Sequence, residues 1–323
     1  MLGAMDEQAR AFRFGVVGES IRSGAELAAT ARRAEELGYA TLTLRDHFVT
    51  EPFGDQLAPM VALASAAAVT GTLRLGTMVL ANDYRHPVLL AKEAATLDHL
   101  SGGRFELGIG AGWLRAEYAA AGIPFDAAGT RVGRLEESLL ILRSLLAGEK
   151  TVFAGEHYRI DGLTVFPRPA RRPPLVIGAG SPRMLGIAGR HADTVGILPR
   201  ALPEGAISDA ITERLPDTIA RKVDRVREAA GDRDVELSMM VTPRFGADPR
   251  AAAARVAAAR GWGADADLVL GMPTQFVGPP EHIAAQMTER RERYGFTYYQ
   301  VPDSAMEEFA PVVALLAGRP RQA

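Results

Sequence analysis

The chain contains no cysteine in its 323 residues, which removes disulfides, thiolate metal ligands and a cysteine nucleophile from consideration. Neither sign of charge dominates. Its 37 basic residues stand against 39 acidic ones, a formal charge of −2, so no broad basic field exists to draw nucleic acid or an anionic membrane surface. The longest apolar stretches are alanine-rich and amphipathic, far short of a membrane span. The opening MLGAMDEQARAF has no apolar core of signal-peptide length and reads as a short flexible lead-in, residues 1 to about 11, so the cytoplasm is the expected compartment. The chain also lacks H-E-x-x-H, histidines at metal-ligand spacing, G-x-S-x-G and a Walker A loop, and no metal site is expected.

What remains is an ordinary globular composition, 47% apolar and 24% charged, arranged in a steady alternation. Apolar runs fall at Phe12–Val17, Thr41–Leu44, Leu73–Leu80, Arg104–Ile109, Leu175–Ile177, Thr194–Leu198, Val235–Val241 and Thr297–Val301. Nearly every one is followed by a helical pattern, such as Ser23–Leu37, where Ala28, Ala31, Ala34 and Leu37 recur at three-residue steps before Gly38. Eight strands each leading into helix predict an α/β fold, a (β/α)8 TIM barrel with insertion segments, formed by residues 1–323 as a single domain. Trp113–Ala121, the helix Arg131–Ala147 and an irregular hairpin over Val152–Phe166 are the expected inserts, with Pro167–Pro174 a stiff connector. Asp248–Gly278 is helical and loop-rich, without a clear order. An open doubly wound sheet is disfavoured, because the first strand lacks the G-x-G-x-x-G turn such folds carry.

Barrel enzymes work at the C-terminal ends of their strands. Behind the second strand stand Arg45, Asp46 and His47, where a histidine beside a carboxylate suits proton transfer. The competing reading makes Asp46 a cap for loop N–H groups. The third strand ends in Thr77, Met78 and Val79, ahead of the polar run Asn82 to His86, and His86-Pro87 reads as a plain helix start. In RFELGIGAGW, Gly108, Gly110 and Gly112 alternate along the fourth strand, leaving either room for a planar ligand or room for a packed neighbour. Trp113 is either a core anchor or a substrate wall. Glu117 reads as a helix-surface charge, and Glu35-Glu36 and Glu136-Glu137 as solvated faces. In LVIGAGSPRML, the turn Gly178-Ala179-Gly180-Ser181-Pro182-Arg183 offers a capped helix start, exposed N–H groups and a cation, the best candidate for an anion site. A plain tight turn is the alternative.

Taken together, AEELGYATLTLRDHF, the run from LRLGTMVL to SGGRFELGIGAGW, GEHYRIDGL, PPLVIGAGSPRMLGIAGRHADTVGI and the closing YGFTYYQVPDSAMEEFAPVVALLAG resemble the luciferase-like monooxygenase superfamily, and within it the actinobacterial coenzyme F420-dependent oxidoreductases. The resemblance implies a barrel holding the deazaflavin coenzyme F420, or alternatively FMN, over its C-terminal face. It implies a non-proline cis peptide behind the ring, at Thr77–Met78. It places His47, with Asp46, near the reacting face, makes Gly178–Arg183 the phosphate site, and brings Gly196, Ile197 and Leu198 to the cofactor. Trp113 stands where a sugar-phosphate-oxidising relative has a catalytic glutamate, which speaks against that substrate. Hydride transfer to or from a small, largely apolar organic substrate is the implied activity, with a homodimer as the implied assembly. An FMN-dependent monooxygenase and a non-catalytic flavin-binding protein are the rival readings.

Overall fold

A computed structural model describes residues 10–263 and 265–318 of the chain. Most of the expected lead-in therefore lies outside the described residues. Eight parallel strands form the barrel: β1 (Arg13–Gly18), β2 (Thr41–Leu44), β3 (Arg74–Thr77), β4 (Phe105–Gly110), β5 (Leu175–Ala179), β6 (Thr194–Ile197), β7 (Glu236–Met240) and β8 (Phe296–Pro302). Each pairs with its neighbour in chain order, β8 pairs with β1, and the ring is complete. The eight-stranded α/β barrel expected from the alternation is therefore present, with every strand where an apolar run places it.

Helices α1 (Gly24–Glu36), α2 (Pro59–Ala67) and α3 (Pro87–Leu100) connect the first four strands. Ser23 caps α1, its Oγ accepting the Glu26 N–H at 3.2 Å, and Gly38 at φ 79° ends it, a conformation that glycine alone takes without strain. The insert between β4 and β5 carries α4 (Arg115–Ala121), α5 (Ala128–Leu146) and an antiparallel hairpin, Thr151–Ala154 against Arg159–Leu163. Further on come α6 (Pro182–His191) and α7 (Pro216–Ala230). Between β7 and β8 lie α8 (Pro249–Ala259) and α9 (Ala266–Gly271), which share a small core of their own around Ala253, Val256, Val269 and Met272. Helices α10 (Pro280–Tyr294) and α11 (Met306–Leu316) close the structure. No helix among the described residues is long and apolar enough to cross a membrane.

Strand alternation divides the side chains between two regions. Phe105, Leu107 and Ile109, like Leu175, Ile177 and Ala179, are buried in the main core. The intervening Glu106, Gly108 and Gly110, and Val176 and Gly178, therefore point to the barrel axis. At the N-terminal end of that axis Arg13 bridges Glu106 at 2.8 Å and Glu236 at 2.6 Å, its guanidinium 3.7 Å above the Tyr298 ring. Arg74 joins Glu106 from the side, and Thr194 donates to Glu236 at 2.9 Å. Burial alone would lower the Arg13 pKa, but the two carboxylates outweigh it and raise it. One layer higher, Thr43 donates to Gln300 at 2.9 Å. This end of the barrel is plugged by paired charge.

Candidate functional site

At the opposite end, β2 runs out into Arg45-Asp46-His47. The Arg45 Nε donates to Glu19 at 2.9 Å while its guanidinium lies 4.1 Å over the Phe53 ring. Asp46 is buried and fully engaged. It holds Arg85 through two bonds of 2.6 and 2.9 Å and accepts the Ala81 N–H at 3.1 Å. Its role is the cap, tying the segment after β3 to the end of β2. His47 forms a triangle of rings with Phe53, 4.8 Å away, and Trp113, 6.1 Å away and edge-on, the latter two 6.4 Å apart. Trp113 thus lies edge-on to the histidine, half-buried.

The residue that sequence reasoning missed is Glu117. It is no surface charge: it is 1% exposed, and its carboxylate collects four donors. Its Oε1 accepts the N–H groups of Phe48 (2.6 Å) and Val49 (3.3 Å), and its Oε2 lies 3.0 Å from His47 Nδ1 and accepts the Tyr84 hydroxyl at 3.1 Å. Burial would push its pKa up, but the His47 bond and charge and the two N–H groups hold it below the usual carboxylate range. The signal was available. Leu114, Glu117 and Tyr118 fall at i, i+3 and i+4, and Glu117 and Tyr118 are the two buried residues of α4. Tyr84, left open by its sequence context, belongs to the same cluster.

Behind β3 the chain bulges and resumes pairing at Leu80–Ala81, opposite Ile109 and Gly110. The non-proline cis peptide lies here at Met78–Val79, not at Thr77–Met78 as the resemblance implied. The strand ends at Thr77, but the Met78 N–H still donates to the Leu44 carbonyl at 2.8 Å, so Met78 stays tied to the end of β2 as the chain bends away. Thr77 faces away from the mouth, exchanging bonds of 2.7 and 2.9 Å with the Gly108 carbonyl and N–H. Met78 sends its sulfur to within 3.5 Å of the Gln300 amide.

The three alternating glycines have different reasons. A Cβ on Gly108 would lie 1.9 Å from the Thr77 carbonyl oxygen, and one on Gly112, at φ 71°, 1.9 Å from the Tyr118 hydroxyl. Both are set by close packing. At Gly110 the nearest atom to such a Cβ is a Val79 methyl at 3.0 Å, and at Gly178 a Leu198 methyl at 2.9 Å; at Gly196 it is Ser238 Oγ at 3.5 Å. Gly178 and Gly196 are register partners, and Gly110 follows the Ile109–Ile177 pair that brings it beside Gly178. Three adjoining strands thus present a wall of bare backbone, bordered by the side chains of Val79 and Leu198. Ala179 and Ile197 point into the core instead, so only their main chain can serve a ligand here.

In the turn from β5, Ser181 caps α6 by accepting the Met184 N–H at 3.5 Å. Gly180 is pressed against Pro199, whose carbonyl oxygen a Cβ would meet at 2.4 Å. Arg183 reaches across to the Gly129 carbonyl at 3.0 Å. Ser181 and Arg183 thus stand together at the start of α6, with the Arg183 guanidinium engaged by the α5 main chain. His86, in contrast, is the plain helix cap expected, its Nδ1 accepting the Val88 N–H at 3.3 Å. The carboxylates read as solvated faces divide: Glu35 binds the N–H groups of Gly71, Thr72 and Leu73, and Glu137 those of Glu156, His157 and Tyr158, so both are loop anchors. Beside the bare wall, a cavity of about 150 Å³ opens between the ends of β6 and β7 and the α8–α9 insert, with Leu198 and Met240 at its base and Thr242, Arg244 and Gln275 among its polar lining. A larger cavity of about 390 Å³, at Asp98, His99 and Arg168–Pro174, adjoins the plugged end and touches none of these residues.

A profile of the luciferase-like monooxygenase family matches residues 11–322. The chain belongs to this family. Among curated members it is 37% identical over 166 residues to an F420-dependent glucose-6-phosphate dehydrogenase of Intrasporangium calvum, covering 50% of each chain. It is 32% identical over 236 residues to the enzyme of that name from Beutenbergia cavernae, covering 72% of this chain and 66% of that one. An F420-dependent hydroxymycolic acid dehydrogenase of Mycobacterium tuberculosis matches at 34% over 172 residues, 52% of this chain and 47% of the other. The chain thus spans about half to two-thirds of the length of these relatives. The fold is shared with an F420-dependent secondary alcohol dehydrogenase in complex with an F420-acetone adduct, at a TM-score of 0.75 and 16% identity, over 95% of this chain and 98% of that one.

Proposed function

We propose that this luciferase-like protein is an oxidoreductase dependent on the deazaflavin coenzyme F420, moving a hydride to or from a small organic substrate with a largely apolar body. The observation that carries the reading is the bare wall of Gly110, Gly178 and Gly196 within the same barrel mouth as His47. A planar ring system needs a flat bed, and a Cβ at Gly110 or Gly178 would press on the Val79 and Leu198 methyls that border it, while one at Gly196 would stand 3.5 Å from Ser238 Oγ. F420-dependent relatives of the same family support the choice of cofactor.

The residues present suit the group. Gly110, Gly178 and Gly196 would bed the ring, with Met78, Val79 and Leu198 along its edges. The main chain of Gly178, Ala179 and Gly180, with Ser181 and Arg183 at the start of α6, would take a phosphate. F420 supplies two-electron hydride chemistry when bound. The chain's own contribution is to orient, to exclude water and to handle a proton. His47 takes the proton from a substrate hydroxyl during oxidation and returns it during reduction. Phe53 and Trp113 shield it, and Trp113 brings no carboxylate to the position where a sugar-phosphate-oxidising relative has one. The cavity at Leu198 and Met240 receives the substrate body. The chain works as one barrel domain. Exposed Val61, Leu89 and Leu100 on the neighbouring helices α2 and α3 provide the apolar face for a homodimer.

Titration of the purified chain with F420 and, separately, with FMN tests this reading by fluorescence quenching. F420 is expected to bind at least about tenfold more tightly, a difference of roughly 1.4 kcal/mol. Tight FMN binding without F420 binding would make it a flavin enzyme instead. F420 binding without turnover across a panel of alcohols, ketones and activated alkenes would leave a non-catalytic binding protein.

A further inference from the structure

Four donors meet at the Glu117 carboxylate, and their protons can be assigned. Phe48 and Val49 bring backbone N–H groups, which can only donate, and both go to Oε1. Tyr84 keeps its phenolic proton, since burial and the nearby Glu117 raise its pKa, and it donates to Oε2. The remaining contact, Oε2 to His47 Nδ1 at 3.0 Å, joins an ionised carboxylate that has no proton to give. The proton in that bond therefore sits on Nδ1. The His47 Nε2 has no hydrogen-bond partner among the described residues and is not among the buried unpartnered atoms, so it remains reachable.

We propose that Glu117 is the positioning residue of His47: whenever the ring is neutral it keeps the proton on Nδ1, so that Nε2 is the nitrogen whose lone pair meets the substrate. Free histidine side chains prefer the opposite tautomer, with the proton on Nε2, and such a ring could not accept a proton at the mouth. The same carboxylate pins the start of the loop after β2 through Phe48 and Val49. It thereby sets both the orientation of the ring and the side from which it is approached. Once Nε2 takes up a proton, the imidazolium is stabilised by the buried negative charge 3.0 Å away. No proton passes to Glu117, which acts through His47 alone.

The first arm of the test needs no cofactor. In the full chain labelled with ¹⁵N-histidine, NMR of the neutral ring, recorded at a pH above its titration, is expected to show His47 with a protonated Nδ1 and an unprotonated Nε2. Glu117→Gln keeps the oxygen for Phe48 and Val49 but turns an amide NH₂ toward Nδ1, so the tautomer should invert. Glu117→Ala should release it to a mixture. Tyr84→Phe, which removes a different Glu117 partner, should leave it as in the wild type. A wild-type His47 protonated on Nε2, or an unchanged tautomer in Glu117→Gln, would overturn the proposal. The second arm rests on the proposed F420-dependent activity. Glu117→Gln is expected to lower kcat/KM about 100-fold and to shift its pH profile, with F420 affinity retained. An inverted tautomer with unchanged kcat/KM would remove the functional role. Absence of turnover in the wild type alongside the expected NMR result would count against the proposed activity and leave the dyad standing.

Discussion

The two ends of this barrel are built from the same kinds of residue and behave in opposite ways. At the N-terminal end Arg13 reaches the axis, and Glu106, Glu236, Arg74 and Tyr298 close around it, so each charge meets another and the interior is filled. At the C-terminal end Asp46 pairs with Arg85 and Glu117 with His47, but these pairs stand at the rim. The axis there is lined by glycine. Paired charge at one end thus plugs the barrel, while at the other an ion pair and a hydrogen-bonded Glu–His pair stiffen the border of an opening and leave one imidazole nitrogen unspent. What separates the ends is the absence of side chains at Gly110, Gly178 and Gly196, more than any particular polar residue.

Substitutions can break the comparison from either side. His47→Ala should have the largest effect, lowering turnover with F420 by about 10²–10⁴-fold, the usual contribution of a positioned proton-transfer group. The circular dichroism spectrum should stay unchanged. Arg13→Met strands two buried carboxylates and should cost about 3–5 kcal/mol in denaturant unfolding, with F420 affinity retained in whatever fraction folds. Gly178→Val tests the bare wall. It should fold, because the neighbour it meets is the mobile tip of Leu198, yet bind F420 at least about tenfold more weakly, a loss of roughly 1.4 kcal/mol.

The smallest effect belongs to Glu35, which anchors the turn before β3. Burial would raise its pKa, but the N–H groups of Thr72, Leu73 and Gly71 and the Thr72 hydroxyl bring it down to about 2. A folded pKa below the unfolded value of about 4.3 means stability that is complete above that value and lost as pH falls toward the folded one. Glu35→Gln should therefore cost about 0.5–1 kcal/mol near neutral pH, solvent at this half-exposed carboxylate screening much of the pKa difference. Its deficit against wild type should shrink as both proteins are melted at successively lower pH between about 4 and 2.

Much of the architecture was legible because a buried parallel strand writes itself as an apolar run and its helix as a three-to-four-residue rhythm. All eight runs became barrel strands. The site was legible where it depends on residue type, as in the histidine after β2 and the glycine turn after β5. It was opaque where it depends on register. Gly110 gains its meaning from Gly178 and Gly196, which only the ladder sets beside it. Glu117, Glu35 and Glu137 were taken for solvated charges because their partners are backbone N–H groups and side chains from distant loops. For Glu117 alone the i, i+3, i+4 spacing with Leu114 and Tyr118 could have warned otherwise. The cis peptide lies at Met78–Val79, one bond beyond the place the resemblance implies, and the apolar residues around it carry no signal that separates the two bonds.

The most direct measurement is a crystal structure of the chain with F420 bound. The ring is expected to lie on Gly110, Gly178 and Gly196, with His47 Nε2 turned toward it and the phosphate at the start of α6. A ring bound anywhere else, or a His47 whose Nδ1 faces the ring with Glu117 released, would contradict this.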